Sequence, residues 1–152
     1  MSEIRVLLVA PEAYIEYIFS NRVKEYLKVK LDMKTVDSKA DMCCLHFPES
    51  SFDLVYTSHI LEYIKLDCQV INEVKRVPAP GGISFLPVPK VTKCINEYFE
   101  QNPYESNNAR APGNDFFDRH MQGFSRVDIC SSDAFDEKCH LYVYENMIRY
   151  TS

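Results

Sequence analysis

Apolar residues in the first thirty positions form one continuous run and then a helical pattern. The run Ile4–Val9 is apolar except at Arg5, which is typical of a strand buried on both faces of a parallel sheet. The apolar spacing over Ala13–Tyr26 predicts a helix with one inner face. Lys28–Leu31 then predicts a second short strand, so the chain begins with a strand, a helix and a strand.

A second unit of the same kind follows further along the chain. Phe52–Tyr56 is rich in residues that favour strands. Two helical patterns come next, over Ile60–Ile64 and Val70–Val77, and Asp67 between them predicts a helix N-cap. A turn rich in Pro and Gly then leads into the strand Ile83–Leu86. This order predicts two parallel strands joined by a right-handed crossover.

The last third of the chain predicts smaller elements around one long polar segment. They are a helix at Val91–Gln101, a loop at Asn102–Gly113, a helix at Asn114–Met121, a strand at Ser125–Cys130 and a final antiparallel strand at Leu141–Tyr144, extending toward Ile148. The alternation of strands and helices predicts one α/β domain over residues 1–152, with a doubly wound, mostly parallel sheet.

Composition narrows the classes of function. The net charge of −5 argues against broad binding to nucleic acid, which needs clustered Lys and Arg. The sequence shows no signal peptide and no apolar run of membrane-spanning length, so we expect a cytoplasmic protein. The six cysteines lack the paired spacing of metal ligands, which predicts reduced thiols and no metal site.

Polar side chains follow two of the predicted strands. Asp32 comes after the second strand, where a carboxylate can accept hydrogen bonds from ribose hydroxyls or can simply occupy a turn. Thr57, Ser58 and His59 follow the strand Phe52–Tyr56. The unperturbed pKa of a histidine side chain lies near neutrality, so His59 suits a general base, although it can also shape a pocket or cap the next helix.

Three strings in the middle of the chain resemble a known family. SFDLV (Ser51–Val55), SHILE (Ser58–Glu62) and PGG (Pro80–Gly82) occur at the spacing found in class I S-adenosylmethionine-dependent methyltransferases of the small-molecule type. The resemblance implies a Rossmann-like methyltransferase fold of about seven strands with an antiparallel C-terminal hairpin. It also implies S-adenosylmethionine as cofactor and a methyl acceptor, a small molecule or a protein, that the sequence does not identify.

The resemblance implies a set of cofactor-binding residues. They are Ala10, Pro11 and Glu12 along the methionine part, Asp32 at the ribose, Asp41 and Met42 at the adenine, and Thr57 and Ser58 at the edge where the methyl group is transferred, with His59 as the catalytic candidate. Glu12 would hold the ammonium group, or would only favour the start of the next helix. Asp41 can also serve as the cap of a turn.

The sequence departs from the family in two ways. The first loop, Ala10-Pro11-Glu12, has no glycine, and few residues precede the first strand where relatives carry extra helices. These departures predict an alternative, an inactive methyltransferase-like module that acts through a protein partner or as a homodimer. A partner chain would also complete the site of an active enzyme. A different doubly wound nucleotide-binding protein has no P-loop or GxGxxG motif to support it.

Overall fold

The structure is a computed structural model and describes residues 4–29, 41–89, 92–105, 107–120, 124–131 and 145–151. The strands are β1 (Val6–Val9), β2 (Tyr26–Val29), β3 (Phe52–Thr57), β4 (Pro78–Pro89), β5 (Asn96–Asn102), β6 (Asn108–Ala111), β7 (Arg126–Ser131) and β8 (Glu145–Thr151). The helices are α1 (Ala13–Ser20), α2 (Asp67–Arg76) and α3 (Phe116–His120), with a 3₁₀ turn at Pro103–Glu105.

The main sheet has the order β2-β1-β3-β4-β8-β7. The strands β1, β2, β3 and β4 pair in parallel, whereas β8 is antiparallel to both of its neighbours. This arrangement confirms the predicted α/β class and the antiparallel strand near the C-terminus. Six strands of the main sheet are described, and β5 and β6 form a separate antiparallel pair that the sequence did not predict.

Strand β1 packs against both layers of the domain. Leu7 and Val9 belong to the larger apolar cluster, which also contains the inner face of α2. Val6 and Leu8 point to the other side and pack in a smaller cluster with the inner face of α1. All four residues of β1 are buried, which confirms the prediction drawn from the run Ile4–Val9.

The first helix is shorter than the periodicity predicted. Helix α1 ends at Ser20, and β2 begins at Tyr26 instead of Lys28. The side chains of Ser20 and Asn21 both donate hydrogen bonds to the Tyr17 carbonyl, at 2.9 and 2.7 Å. These local bonds satisfy a carbonyl at the end of the helix and end it there.

The segment between β3 and α2 is not the helix predicted at Ile60–Ile64. It is a series of turns, and the apolar side chains of Ile60 and Leu61 are nevertheless buried in the larger cluster. The prediction of Asp67 as N-cap was also wrong. Asp67 is the first helical residue, after Leu66, and its carboxylate accepts a hydrogen bond from the Cys68 amide.

The predicted helix Val91–Gln101 and loop Asn102–Gly113 are replaced by the β5–β6 hairpin. Asn96 pairs with Ala111 and Glu97 with Arg110. Arg110 is 1% exposed, so the segment that looked like a polar loop contains one of the most buried side chains described. We attribute the error to long-range contacts of Arg110, which local spacing does not reveal.

The remaining elements lie close to their predicted places. Helix α3 and strand β7 fall within or next to the predicted ranges, and β4 extends well beyond Ile83–Leu86. Leu141–Tyr144 lies outside the described residues, and the antiparallel strand is described from Glu145. Among the described helices, none has the length and apolar character needed to cross a membrane.

Candidate functional site at the carboxyl ends of β1 and β3

The carboxyl ends of β1 and β3 lie side by side. Val9 pairs with Thr57, and the Ser58 amide donates a hydrogen bond to the Val9 carbonyl at 3.1 Å. The predicted residues that follow these two strands are therefore brought to one edge of the sheet. In doubly wound sheets this edge is where ligands bind.

Glu12 is the central acidic group of this edge. It lies at the N-cap position of α1 but makes no side-chain capping bond there. Its carboxylate instead accepts a hydrogen bond from the Ser58 hydroxyl and a longer one, 3.4 Å, from the Tyr56 hydroxyl. Because the Glu12 side chain is 45% exposed, the carboxylate is oriented by the protein and still accessible to a ligand.

His59 lies between two carboxylates. Its Nε2 is 3.6 Å from Glu12 Oε1, and its Nδ1 is 3.3 Å from Glu62 Oε1. The His59 side chain is 31% exposed, whereas that of Glu62 is only 3% exposed. Glu62 was not among the residues predicted for the site, although it is the last residue of the SHILE string that supported the resemblance.

Two residues at this edge have left-handed backbone conformations. Ala10 has φ +48° and His59 has φ +45°. This region is unfavourable for residues with a Cβ and is normally occupied by glycine. The first loop therefore has a glycine-type backbone at Ala10 without a glycine. Strained residues of this kind concentrate at functional sites, which supports a ligand site here.

We expect Ala10→Gly to keep or raise the free energy of unfolding, by up to about 1 kcal/mol, because glycine removes the left-handed strain. Ala13→Gly, in the first turn of α1, is the matched control and should lower it by about 0.5–1 kcal/mol. Urea denaturation of both variants measures the difference. An equal loss in the two variants would contradict the strain at Ala10.

The predicted adenine segment is held against α2. The Glu73 carboxylate accepts a hydrogen bond from the Leu45 amide at 2.7 Å, and Arg76 donates to the carbonyls of Leu45 and Phe47. The hydrogen bonds from Arg76 lower the pKa of Glu73, an effect that burial opposes. This clamp fixes the chain just after Asp41.

Asp41 forms a tight turn, which is the simpler role considered for it. Its carboxylate accepts a hydrogen bond from the Cys43 amide at 2.8 Å, and its carbonyl accepts one from the Cys44 amide at 2.9 Å. Met42 as a whole residue is 1% exposed, and its side chain belongs to the larger apolar cluster. Met42 therefore presents almost no surface to a ligand in this structure. Asp32 lies outside the described residues.

A network of charged side chains lies beside this edge, under the β5–β6 hairpin. Arg110 donates hydrogen bonds to the carbonyls of Leu61, Ile64 and Lys65, and its Nε lies 3.1 Å from Glu97. Asp67 accepts hydrogen bonds from Arg119 and His120, both at 2.9 Å, and lies 3.8 Å from Arg110. The network fastens the hairpin to the loop that carries Glu62.

Asp67, Cys68 and His120 also bring one possible metal ligand each to within 4.8 Å of one another. However, the Asp67 carboxylate already accepts hydrogen bonds from the Arg119 guanidinium and the His120 imidazole, and the Arg110 guanidinium lies beside it. These groups compensate the charge of the carboxylate, as is usual for a buried ionic network. We therefore describe the three residues as part of that network and assign no metal to them.

The network predicts a specific pH dependence. Burial acts to raise the pKa of Asp67, but hydrogen bonds from His120 and Arg119 and the charge of Arg110 outweigh it and hold the pKa well below its ordinary value. A carboxyl whose pKa is depressed on folding stabilises the protein above its unfolded pKa of about 3.9. This stabilisation shrinks as the pH falls below the unfolded value, and it is fully lost once the pH is below the lower folded value.

We therefore expect wild type to be more stable than Asp67→Asn at about pH 5, and the difference to shrink progressively below about pH 4. Urea denaturation at a series of pH values measures it. Asp118→Asn, an exposed substitution on α3, is the control and should show little difference from wild type at any of these pH values. Circular dichroism identifies the lowest pH at which both proteins are still folded. A stability difference between wild type and Asp67→Asn that stays unchanged down to that pH would contradict the depressed pKa of Asp67.

A groove of about 1150 Å³ lies at the opposite end of the sheet. It is lined by residues at the amino ends of β1, β2 and β3, among them Arg5, Tyr26 and Phe52. Among the predicted cofactor-binding residues that the structure describes, none lines it. The groove and the carboxyl edge are therefore two distinct places where a ligand could be sought.

Comparison with known proteins identifies the family. A family model described as "Methyltransferase domain" matches residues 9–86, just over half of the chain. The chain belongs to this methyltransferase domain family, and the matched residues include Glu12, His59 and Glu62. Among curated proteins, none matches the chain.

Solved structures show the same fold at low sequence identity. A S-adenosylmethionine-dependent methyltransferase from Mesorhizobium loti has a TM-score of 0.70 at 13% identity, covering 100% of this chain and 94% of that one. A methyltransferase from Archaeoglobus fulgidus has a TM-score of 0.68 at 13% identity, with 99% and 87% covered. The phosphoethanolamine N-methyltransferase 2 of Haemonchus contortus, in complex with S-adenosyl-L-methionine, has a TM-score of 0.70 at 12% identity, with 98% and 48% covered.

Proposed function

We propose that the protein transfers a methyl group from S-adenosylmethionine, which binds at the carboxyl ends of β1 and β3. The observation that carries this proposal is the Glu12 carboxylate, oriented by Ser58 and Tyr56 and accessible beside two left-handed residues. Membership of the methyltransferase domain family favours this enzymatic function over the inactive module considered from the sequence.

The charges at this edge fit the cofactor. S-adenosylmethionine carries an ammonium group and a sulfonium, both positive. The edge offers the accessible carboxylate of Glu12, with the imidazole of His59 beside it. Opposite charge at hydrogen-bond distance stabilises a bound cation, so the Glu12 carboxylate suits the ammonium group of the cofactor.

The first loop, Ala10-Pro11-Glu12, keeps a left-handed backbone conformation at Ala10 although it contains no glycine. Ala10 already has the backbone conformation that a glycine would provide, and its amide donates a hydrogen bond to the Val29 carbonyl at 2.8 Å. We propose that the backbone of Ala10 and Pro11 lies along the methionine part and that Glu12 holds the ammonium group. Asp32 at the ribose and Asp41 at the adenine complete the proposed site.

The cofactor supplies, when bound, a methyl group on a positively charged sulfur. The protein's task is then chiefly to hold the acceptor in line and to exclude water, since positioning supplies much of the rate enhancement in such reactions. Thr57 is 2% exposed and Ser58 is 5% exposed, so both residues are packed beneath the surface of this edge. We propose that His59 is the group that accepts a proton from the acceptor.

The neighbours and the exposed residues of the hairpin bear on the methyl acceptor and on a partner chain. One neighbour is a phosphoethanolamine N-methyltransferase, another is a carbon methyltransferase, and a third forms a complex with the Trm112 methyltransferase activator. The rings of Phe99 and Tyr104 on the β5–β6 hairpin are 94% and 96% exposed, which supports a homodimer or a protein partner there. The cytoplasmic location stays a prediction.

Thermal denaturation with and without S-adenosylhomocysteine tests the proposed function. A ligand at one hundred times its dissociation constant adds about 2.7 kcal/mol to the free energy of unfolding. For a domain of this size the expected increase in Tm is about 5–10 °C. An unchanged Tm at millimolar S-adenosylhomocysteine and S-adenosylmethionine would contradict it.

A further inference from the structure

The outer part of the β5–β6 hairpin is both aromatic and acidic. Phe99 on β5 is 94% exposed, and Tyr104 in the 3₁₀ turn that follows is 96% exposed. The segment Asn96–Glu105 contains three glutamates and no lysine or arginine, and Glu100, next to Phe99, is exposed. Two adjacent exposed aromatic residues on one hairpin are typical of a surface that binds another protein chain.

The hairpin is held in place by contacts with the loop that follows β3. Lys65 Nζ donates a hydrogen bond to the Phe99 carbonyl at 2.8 Å, and the Ala109 amide donates one to the Glu62 carbonyl at 2.7 Å. A partner that binds the exposed rings therefore meets a hairpin whose backbone is already ordered. Preorganisation of this kind lowers the entropic cost of binding.

The groove at the opposite end of the sheet has the complementary character. Its cationic residues outnumber its anionic ones, Arg5, Arg22 and Lys24 against Glu25, although Arg5 is also paired with Asp53 outside the groove. The excess of positive charge stands out in a chain whose net charge is −5. The rest of the lining is mostly apolar and includes Ile4, Val23, Leu27, Phe47 and Phe52.

The size of the groove favours a segment of protein chain over a small molecule. Its volume of about 1150 Å³ exceeds the roughly 300–1,000 Å³ of pockets that hold single small ligands. The hairpin does not fill the groove of its own chain, because it is fastened at the carboxyl end of β3 and the groove lies at the amino end. Contact between two hairpins would instead bring like charges together, which is unfavourable.

We propose that the β5–β6 hairpin of one copy docks into this groove on a second copy of the chain. Phe99 and Tyr104 contact the apolar lining, and Glu100 lies toward the cationic residues. Each copy offers one hairpin and one groove, so the contact is heterologous and can continue beyond a dimer. Two aromatic side chains bury about 150–250 Å² each, less than the roughly 800 Å² per partner of a stable interface, so the association is weak. It does not require the cofactor.

Sedimentation velocity of the purified chain tests this docking. We expect the average sedimentation coefficient to rise between about 10 µM and about 1 mM protein, as for other weak associations. Because the two surfaces carry opposite charges, raising the NaCl concentration from about 50 mM to about 500 mM should weaken the association about threefold or more. A chain that stays monomeric up to about 1 mM at low salt would overturn the proposal.

Substitutions that each alter one surface test the two sides separately. Phe99→Ser removes a ring from the hairpin, and Leu27→Asp places a negative charge in the groove at a residue that is 52% exposed. Arg22→Glu is a second groove variant at an exposed residue. We expect each to weaken the association about tenfold or more, as truncation of an aromatic anchor does. Tyr17→Asp, at a residue of α1 that is 66% exposed and outside both surfaces, should associate like wild type.

An equimolar mixture of Phe99→Ser and Leu27→Asp distinguishes this docking from other modes of association. The first variant keeps an intact groove and the second keeps an intact hairpin, so one contact can still form between them. We expect the mixture to form dimers and no larger species, at a concentration where each variant alone is monomeric. A mixture that stays monomeric, or groove variants that associate as strongly as wild type, would overturn the proposal. Circular dichroism checks that every variant is folded.

Discussion

Replacing Arg110 with methionine is expected to lower the free energy of unfolding by about 3–5 kcal/mol, because the change leaves buried charged and polar groups without their partner. Arg110 is 1% exposed and donates hydrogen bonds to three carbonyls of the loop between β3 and α2. It also lies between Glu97 and Asp67. Methionine fills a similar volume but donates no hydrogen bond, so the three carbonyls and the Asp67 carboxylate are left partly unsatisfied.

Arg119→Met is the matched control for Arg110→Met. Arg119 contacts the same two carboxylates, Asp67 and Glu97, but its side chain is 38% exposed and water can replace it. We expect a loss of about 1 kcal/mol or less, as for other exposed ion pairs. Urea denaturation of both variants measures the difference. Equal losses in the two variants would contradict the role of Arg110 as the buried anchor of the hairpin.

Replacing Glu12 with glutamine is expected to weaken the binding of S-adenosylhomocysteine by about 10–100-fold, because a hydrogen bond to a charged group contributes about 1.5–3 kcal/mol. S-adenosylhomocysteine retains the ammonium group that Glu12 is proposed to hold. The variant keeps the size of the side chain and can still accept hydrogen bonds from Ser58 and Tyr56. Isothermal titration calorimetry measures the dissociation constant of both proteins.

Glu25→Gln is the control for Glu12→Gln. It removes the same charge from an exposed residue that lines the groove at the opposite end of the sheet. Its dissociation constant should equal that of wild type. Equal weakening in both variants would show that only the overall charge matters, and an unchanged constant in Glu12→Gln would remove Glu12 from the proposed site.

The parts of the site that the sequence predicted depend on local patterns. The apolar run at β1 and the strand before Thr57 indicated parallel neighbours, and parallel neighbours end at the same edge. Glu12, Ser58 and His59 were therefore expected to come together, and the structure brings them together. A turn rich in Pro and Gly was predicted before Ile83, but these residues lie within β4, where Gly81 has a φ of +78° at the irregular pairing with β3.

The parts that the sequence did not predict depend on distant contacts. Arg110 lies in a polar stretch that looks like a loop, and its partners Leu61 and Ile64 are 49 and 46 residues away. Glu62 follows an apolar pair and looks like an exposed helical residue, yet the β5–β6 hairpin buries it. Neither local spacing nor composition carries this information, because burial here is produced by the pairing of β6 with the loop.

Chemical-shift mapping with S-adenosylhomocysteine tests most directly that the cofactor binds at the carboxyl ends of β1 and β3. We predict that the largest changes in backbone amide shifts occur at Ala10, Glu12, Ser58 and His59, and that amides lining the opposite groove, such as those of Arg5, Tyr26 and Phe52, stay unchanged. Changes concentrated at Arg5, Tyr26 and Phe52, or no changes at saturating ligand, would contradict the proposed cofactor site.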